Sequence, residues 1–355
     1  MRAPRDMTNL TAHERNPGAP FGWVIVGPGK IAHRFADAVM RMPHAKLIGV
    51  TGRDALRAAD FATTWMRDGI APTVYANIDA SIADPAVDGV YIATPHAFHF
   101  AAAQHCLTLG KPVLCEKPLA VNAAQAQALV RLSEERQVFL MEAVWTRFLP
   151  IYDVVRAWLS SNEIGPVRAI HSSFCFDVPF DPAHRIYDPA QAGGALLDLG
   201  IYNLTITRWA LAAAFGACPL LEKMYASGVI APSGVDQRVS GLLVFANGVT
   251  SSFVCGVDGA ADNSFRIFGQ HGTIEVVANF WEATRATLHR PGQPAINESR
   301  PFAINGFEGE IDEAMRCIDI GAIESARMPH AETIATLSWM DQIRVQLGVR
   351  YPFEV

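Results

Sequence analysis

Gly22-Trp23-Val24-Ile25-Val26-Gly27-Pro28-Gly29-Lys30-Ile31-Ala32 is the stretch on which the fold turns. It opens as an apolar run of strand length, and glycines interrupt it at once. Beyond them Ile31, Phe35, Ala38, Val39 and Met42 recur on one helical face. The turn between strand and helix has the G-x-G-x-x-A form. Gly27 permits the tight turn, Gly29 lets backbone approach a pyrophosphate, and Ala32 lets the helix pack close to the strand. The free N–H groups at the helix start point the same way. Gly27, Pro28, Gly29, Lys30, Ile31 and Ala32 are therefore candidate dinucleotide contacts.

Working outward, strand and helix keep alternating to about residue 144. Ala45 to Thr51 is a second strand, leading into Gly52-Arg53-Asp54. A carboxylate here would suit the ribose of NAD, whereas Arg53 suits the 2′-phosphate of NADP. Asp54 reads as the N-cap of the helix carrying Leu56, Ala59 and Phe61, or else as a ribose contact. NADP is favoured over NAD, with Gly52 and Arg53 as its candidates. Val74-Tyr75 is a short strand, and Asp79 caps a brief helix. Val87 to Ala93 runs into Thr94-Pro95-His96-Ala97-Phe98-His99, and a helix leads on to Val113-Leu114-Cys115-Glu116-Lys117-Pro118. Asn122 caps a helix to about Arg136, and Val138 to Met141 closes a doubly wound parallel sheet. Ligands bind beyond the carboxyl ends of such strands, where Thr94, Pro95, His96, His99, Glu116 and Lys117 fall. His96 and His99 either line a nicotinamide pocket or cap the helix.

The second half drops the alternation. Val167 to Phe176, Glu222 to Ile230, Val239 to Phe245, Thr250 to Val257, Ser264 to Phe268 and Thr273 to Val277 all read as strands. That run predicts an α+β domain on a largely antiparallel open sheet. Helices would cover one face and a partner subunit the other, so a homodimer or higher homo-oligomer is expected. Ile311, Ala314, Met315 and Ile318 mark a helix, and a last one spans about Glu332 to Leu347. The expected organisation is a loose tail (1–20, with Met7 as a second candidate start), a dinucleotide-binding domain (21–144), a substrate and oligomerisation domain (145–330) and a C-terminal helix (331–355) packing back on the first domain. Within the second half, Gly193-Gly194-Ala195-Leu196-Leu197-Asp198-Leu199-Gly200-Ile201-Tyr202-Asn203 places Asp198 and Tyr202 on one helical face. A carboxylate in that apolar setting needs a partner, and Lys117 is the candidate.

Composition narrows the classes. Half of the 355 residues are apolar, 18% are charged and the formal net charge is −6, which provides no basic surface for nucleic acid. No apolar run reaches membrane-helix length, and residues 1–20 show no secretory pattern. The six cysteines lack Cys-x-x-Cys spacing, which suits reduced thiols in a cytoplasm, and the eleven histidines lack metal spacing. No metal is expected. The expected partner is a small hydroxylated substrate.

Together these motifs resemble the Gfo/Idh/MocA family (glucose–fructose oxidoreductase / inositol dehydrogenase) from about Trp23 to the C-terminus. The carriers are Gly27 to Ala32, Ala93-Thr94-Pro95, Glu116-Lys117-Pro118, and Gly193-Gly194 with Asp198-x-Gly200-x-Tyr202. The resemblance implies an NAD(P)-dependent oxidoreductase moving a hydride between nicotinamide and a carbinol carbon of a sugar, polyol or vicinal diol. The alternatives are a sugar–sugar oxidoreductase with tightly bound cofactor and a non-catalytic dinucleotide sensor. The resemblance also allows a cis Lys117–Pro118 bond. Most members carry His where Tyr202 stands. That departure, with Phe139-Leu140-Met141-Glu142-Ala143-x-Trp145-Thr146-Arg147-Phe148 and Arg185-x-Tyr187-Asp188-Pro189, is similar to the dimeric dihydrodiol dehydrogenase branch, also described as an NADP-dependent D-xylose dehydrogenase. It implies Tyr202 as acid/base, Lys117 as the cation that favours its phenolate, and Asp198 as counter-charge; the other assignment gives the proton to Lys117 itself. Trp145, Arg147, Phe176, Asp177 and Arg185 are candidates for the substrate wall, Trp145 and Phe176 equally for plain core.

Overall fold

The computed structural model describes residues 18–277 and 279–354, so residues 1–17 of the expected tail lie outside it. Strands β1 (Phe21–Val26), β2 (Ala45–Thr51), β3 (Thr73–Tyr75), β4 (Gly89–Ile92), β5 (Val113–Glu116) and β6 (Leu140–Ala143) pair in parallel in the order β3-β2-β1-β4-β5-β6. Helices α1 (Lys30–Arg41), α2 (Ala55–Thr64), α3 (Ile78–Ile82), α4 (His99–Thr108) and α5 (Ala123–Arg136) connect them. β1, β4, β5 and β6 are buried along their whole length, which suits a sheet covered on both faces. The strand order reverses at β1, between β2 and β4, the place where sheets of this kind bind their ligands.

Local chemistry sets the helix starts. Asp54 accepts from Leu56 N and Arg57 N at the head of α2, and Asn122 accepts from Gln125 N at the head of α5. Two expectations need correction. Asn77, not Asp79, caps α3; Asp79 lies inside the first turn, and its carboxylate meets His105 Nε2 at 2.7 Å. Ile31 is exposed, because the buried face of α1 is made by Ala32, Phe35, Ala36, Ala38 and Val39.

The second sheet is built from β7 (Val167–Cys175), β8 (Leu221–Ile230), β9 (Asp236–Phe245), β10 (Thr250–Gly256), β11 (Phe265–Gly269), β12 (Thr273–Val276), β13 (Arg285–His289) and β14 (Ile296–Ser299). Its order is β14-β13-β12-β11-β7-β10-β9-β8, antiparallel throughout except for the parallel pair β7–β10. β13 and β14 were not expected; β14 is a short, mostly polar edge strand, and β13, paired on both sides, buries only Ala286 and Leu288 between polar and charged neighbours, too brief an alternation to stand out. Helix α6 (Pro150–Ser160) precedes this sheet, and α7 (Ile201–Phe215) lies across one face, where Asn203 donates to Ser172 Oγ at 2.9 Å. The pairing register puts Tyr225, Leu242, Ser252, His171, Arg266 and Glu275 in one row on the other face, with Tyr225 and Leu242 exposed. Helix α8 (Glu308–Asp319) packs beside α1. Helix α9 (His330–Leu347) runs along α5, and its Asp341 accepts from Ala123 N at 2.9 Å. Among the described residues no helix is long and apolar enough to cross a membrane.

Candidate active site

At the β1–α1 turn the two glycines do different jobs. Gly27 has φ +99, and a Cβ on it would lie 2.9 Å from the Ala93 carbonyl, so the fold itself requires glycine. Gly29 has φ −90, and its Cβ would meet only Ala93 O at 3.7 Å. The chain's own packing does not ask for glycine there. Gly29 caps α1 without a side-chain hydrogen bond, and the first turn carries no acidic residue. A bare helix start beside an unused glycine is a cradle of the kind a pyrophosphate fills. Thr94, whose N lies beside Gly27, leaves its buried Oγ1 without a partner. These residues fit a dinucleotide. Lys30 and Ile31 are exposed at the mouth, and Pro28 packs on Gly52, where a Cβ would come within 2.7 Å of the ring. Arg53 lays its guanidinium 4.5 Å above the Phe98 ring, and Arg57 donates to Pro28 O at 3.5 Å. Arg57 was not singled out from the sequence, although it stands one helical turn after Arg53.

The other end of the site is a charge cluster. Lys117, beyond β5 and followed by a cis bond to Pro118, donates from Nζ to Asp198 O at 2.7 Å and to Asp198 Oδ1 at 3.2 Å. Arg185 Nη2 donates to Asp198 Oδ2 at 3.0 Å, and His96 Nε2 lies 3.5 Å from Oδ1. Burial alone would push Asp198 up, but Lys117 and Arg185 beside it, with His96, hold it well below the usual carboxylate range. Asp198 belongs to a single π-helical turn, Leu196–Gly200, at the head of α7. Such turns are frequent at functional sites, and this one sets Asp198 and Tyr202 toward the same neighbours.

Tyr202 is nearly buried. Its hydroxyl accepts from Trp145 Nε1 at 3.1 Å, its ring lies 5.5 Å from Phe174, and Lys117 Nζ stands 4.9 Å from the ring centre. The expectation that Lys117 favours the phenolate is not met. The ammonium is engaged by Asp198 and faces the ring rather than the hydroxyl. Burial, then the Glu116 carboxyl, pushes Tyr202 well above its ordinary value. In this state Tyr202 is a proton donor.

Glu116 accepts from the Tyr91 hydroxyl, and burial lifts it to about 7. Glu310, from the first turn of α8, is fully buried with neither carboxyl oxygen partnered, and burial together with Glu116 raises it strongly. His99 stands between Pro118 O, 2.7 Å from Nδ1, and Thr94 O, 2.7 Å from Nε2, wedged between the Lys117 loop and the end of β4, and as a neutral ring it donates to one of the two carbonyls. Burial lowers His99 to about 4.

Of the expected substrate wall, Trp145 reaches Tyr202, Arg185 reaches Asp198, and Phe176 stands exposed at the rim, 6.1 Å from Phe174. Arg147 and Asp177 are not brought in. Arg147 is buried behind Trp145 and lies 3.8 Å from Glu332, because the short helix Trp145–Phe148 points successive side chains apart. Asp177 is exposed and bridges Asp258 through backbone. Phe174 and Trp281, stacked at 3.4 Å, were missed. Period-two alternation in β7 would have put Phe174 on the same face as Phe176; no sequence signal marks Trp281.

Residues 21–144 match the family described as GFO_IDH_MocA, oxidoreductase family, NAD-binding Rossmann fold, and residues 152–275 match its C-terminal domain. The trans-1,2-dihydrobenzene-1,2-diol dehydrogenase of Bos taurus is 32% identical over 93% of this chain and 98% of that protein; the Mus musculus enzyme is 34% identical over the same shares. The fold is shared with an aldose-aldose oxidoreductase of Caulobacter crescentus (TM-score 0.80, 23% identity, covering 92% of this chain and 97% of that one). It is also shared with a 3-ketoreductase of Actinomadura kijaniata solved with NADP and TDP-benzene (TM-score 0.78, 23% identity, covering 92% and 98%).

Proposed function

The chain belongs to the GFO/IDH/MocA oxidoreductase family as an NAD(P)-binding CH–OH dehydrogenase, and we propose that its cofactor is NADP and its substrate a vicinal diol, sugar or polyol. The observation that carries the substrate end is the Lys117–Asp198–Arg185 cluster beside a protonated Tyr202. The cofactor reading is supported by Asp54, whose carboxylate is engaged as a helix cap, which leaves Arg53 and Arg57 as the polar groups flanking the turn.

The phosphates would rest on the backbone of Gly27 to Ala32, with Arg53 and Arg57 at the 2′-phosphate. When bound, the nicotinamide supplies the hydride chemistry. The protein's part is to hold the carbinol carbon against it and to move one proton. Tyr202, kept neutral by burial and by Glu116, donates that proton to the carbonyl oxygen during reduction, leaving a phenolate that solvent reprotonates; in oxidation the hydroxyl must first lose its proton to solvent before the phenolate can take the proton of the carbinol. Lys117, fixed on Asp198, places positive charge where the alkoxide develops. Trp145, Phe174 and Trp281 line an apolar wall against which a ring or carbon chain can lie. One observation favours a second assignment, in which Lys117 carries the proton: the ammonium faces the Tyr202 ring and not its hydroxyl.

The test is nicotinamide absorbance against time with NADP⁺ and NAD⁺ over aldoses, polyols and diols, with Lys117→Ala as blank. NADP-preferring turnover absent from the variant is expected. Cofactor binding without turnover in either direction would favour a sensor. We further propose that a second copy of the chain covers the Tyr225–Leu242 face; a monomeric mass at micromolar concentration would refute this.

A further inference from the structure

The C-terminal segment comes back to both halves of the charge cluster. α9 ends at Gly348, φ +71, and Tyr351 then turns inward and is buried. Its hydroxyl donates to Gly193 O at 2.7 Å. Gly193-Gly194 opens the turn that carries Asp198, and Asp198 N donates back to Gly194 O at 3.3 Å. On the other side of that turn, Asp236 at the head of β9 accepts from Leu196 N at 2.6 Å, and a Cβ on Gly194 would strike the Asp236 carboxylate. Thus the turn is gripped by two buried side chains from distant sequence.

A second arm reaches the other loop. Arg344, buried near the end of α9, donates to Val121 O at 3.2 Å and to Glu354 at 2.6 and 2.9 Å. Glu354 also accepts from Asn122 Nδ2 at 2.9 Å. Val121-Asn122 closes the loop that begins at Lys117. The two arms are one unit, since the Arg344 guanidinium stands 5.0 Å from the Tyr351 ring and Phe353 stacks on that ring at 5.6 Å.

We propose that Arg344 and the segment Tyr351–Glu354 form a clasp that sets the Lys117–Asp198 contact, with Tyr351 positioning the Asp198–Tyr202 turn and Arg344–Glu354 positioning the Lys117 loop. The proposal rests on reading Lys117, Asp198 and Tyr202 as the reacting set. None of the clasp residues touches that set, so they are positioning residues. Removing one contact leaves a buried carbonyl without its donor and frees the turn to shift, and small displacements of reacting groups are expensive in rate. Tyr351 stays protonated, because burial holds it well above its ordinary value, so its half of the grip does not depend on pH near neutrality, whereas Asp236, lifted by burial to about 7, titrates there.

Tyr351→Phe in the full chain removes one oxygen and keeps the ring. Its kcat is expected to fall about tenfold, with the KM for NADP unchanged and the melting temperature lower by about 2–4 °C at most, the cost of one unpaired buried carbonyl. Amide exchange should quicken within residues 193–203 and nowhere else. Glu354→Gln should do the same within residues 117–122. Wild-type kcat and wild-type exchange in Tyr351→Phe would overturn the clasp. So would a loss of kcat that tracks a lower melting temperature with exchange raised evenly along the chain, the behaviour of a plain stabiliser. If the wild-type enzyme turns over none of the diols and sugars, the reading of the reacting set fails by itself. The exchange pattern then decides the clasp, a confined rise upholding it and no rise overturning it.

Discussion

At the mouth of β1 the groups proposed for binding are backbone N–H donors supplied by one unbroken stretch, residues 22–32, whereas beyond β5 the proposed reacting groups are side chains, charged and neutral, gathered from positions 96, 117, 185, 198 and 202. The first region can be assembled by any chain that makes the turn, because its chemistry lies in peptide groups and in the absence of side chains. The second exists only when two sheets are docked, because Asp198 is buried and would be costly without Lys117 and Arg185 around it. On the proposed reading, binding is thus local here and catalysis is distributed. Substitutions in the two regions should fail in different ways.

The largest separation is expected from Tyr202→Phe. The ring contacts with Phe174 and Lys117 remain, and only the hydroxyl is lost. The kcat should fall by about 10³-fold, the scale of a lost general acid, while the Kd for NADP from fluorescence titration stays within about twofold. Turnover near the wild-type rate would pass the proton to Lys117.

Two glycine substitutions test the local half against itself. Gly27→Ala forces a left-handed backbone and a contact of 2.9 Å with Ala93, so it should cost about 2 kcal/mol or more by thermal or urea unfolding. Gly29→Ala meets nothing closer than 3.7 Å, so the fold should melt as before while the Kd for NADP rises about tenfold. Equal melting losses in both would mean that Gly29 serves the fold and not a ligand. More modestly, Arg53→Ala and Arg57→Ala should each raise the KM for NADP about tenfold and leave that for NAD unchanged. A parallel rise for both cofactors would remove the 2′-phosphate from the account.

This division also explains what could be read from the sequence. The turn was legible because its requirements are contiguous: apolar strand, glycines, periodic helix. Asp198, Lys117 and Tyr202 were legible as residue types in an apolar setting, and Lys117 does meet Asp198. The sense of the Lys117–Tyr202 interaction was not legible. It depends on whether the ammonium faces the ring or the hydroxyl, and on Glu116 facing inward, which only tertiary packing decides. Arg147 misled for the same reason. Its neighbour Trp145 enters the site, but consecutive residues of a short helix point apart, and Arg147 is buried toward Glu332. Trp281 lies in a connection between strands, where no periodicity announces a face. β14 escaped because an exposed edge strand carries no apolar alternation, and β13 because only Ala286 and Leu288 mark its buried face.

The smallest expected effect concerns Glu116, which stands at the seam of the two regions, accepting from Tyr91 beneath the cofactor turn while its charge bears on Tyr202. Its folded value is raised by burial from 4.5 to about 7, so its contribution to stability is fully present below 4.5 and is lost as pH rises through 7. Asp198 behaves oppositely: its folded value is depressed, its contribution is present above 3.8 and is lost only as pH falls through the folded value, so it is silent between pH 5 and 8. Asp236, also lifted to about 7, adds to the slope in that window and is unaffected by changes at Glu116. Glu116→Gln should therefore make the unfolding free energy fall less between pH 5 and 8, by on the order of 1 kcal/mol, against a wild-type slope to which Asp236 and Glu310 also contribute and which His99, lowered to about 4, opposes below its ordinary 6.5. Urea unfolding at pH 5, 6, 7 and 8 makes the comparison. Parallel curves for variant and wild type would mean that Glu116 is ionised in the fold throughout, and a fixed anion so close to Tyr202 would make the phenolate of the oxidative direction still harder to reach and shift the proton to Lys117.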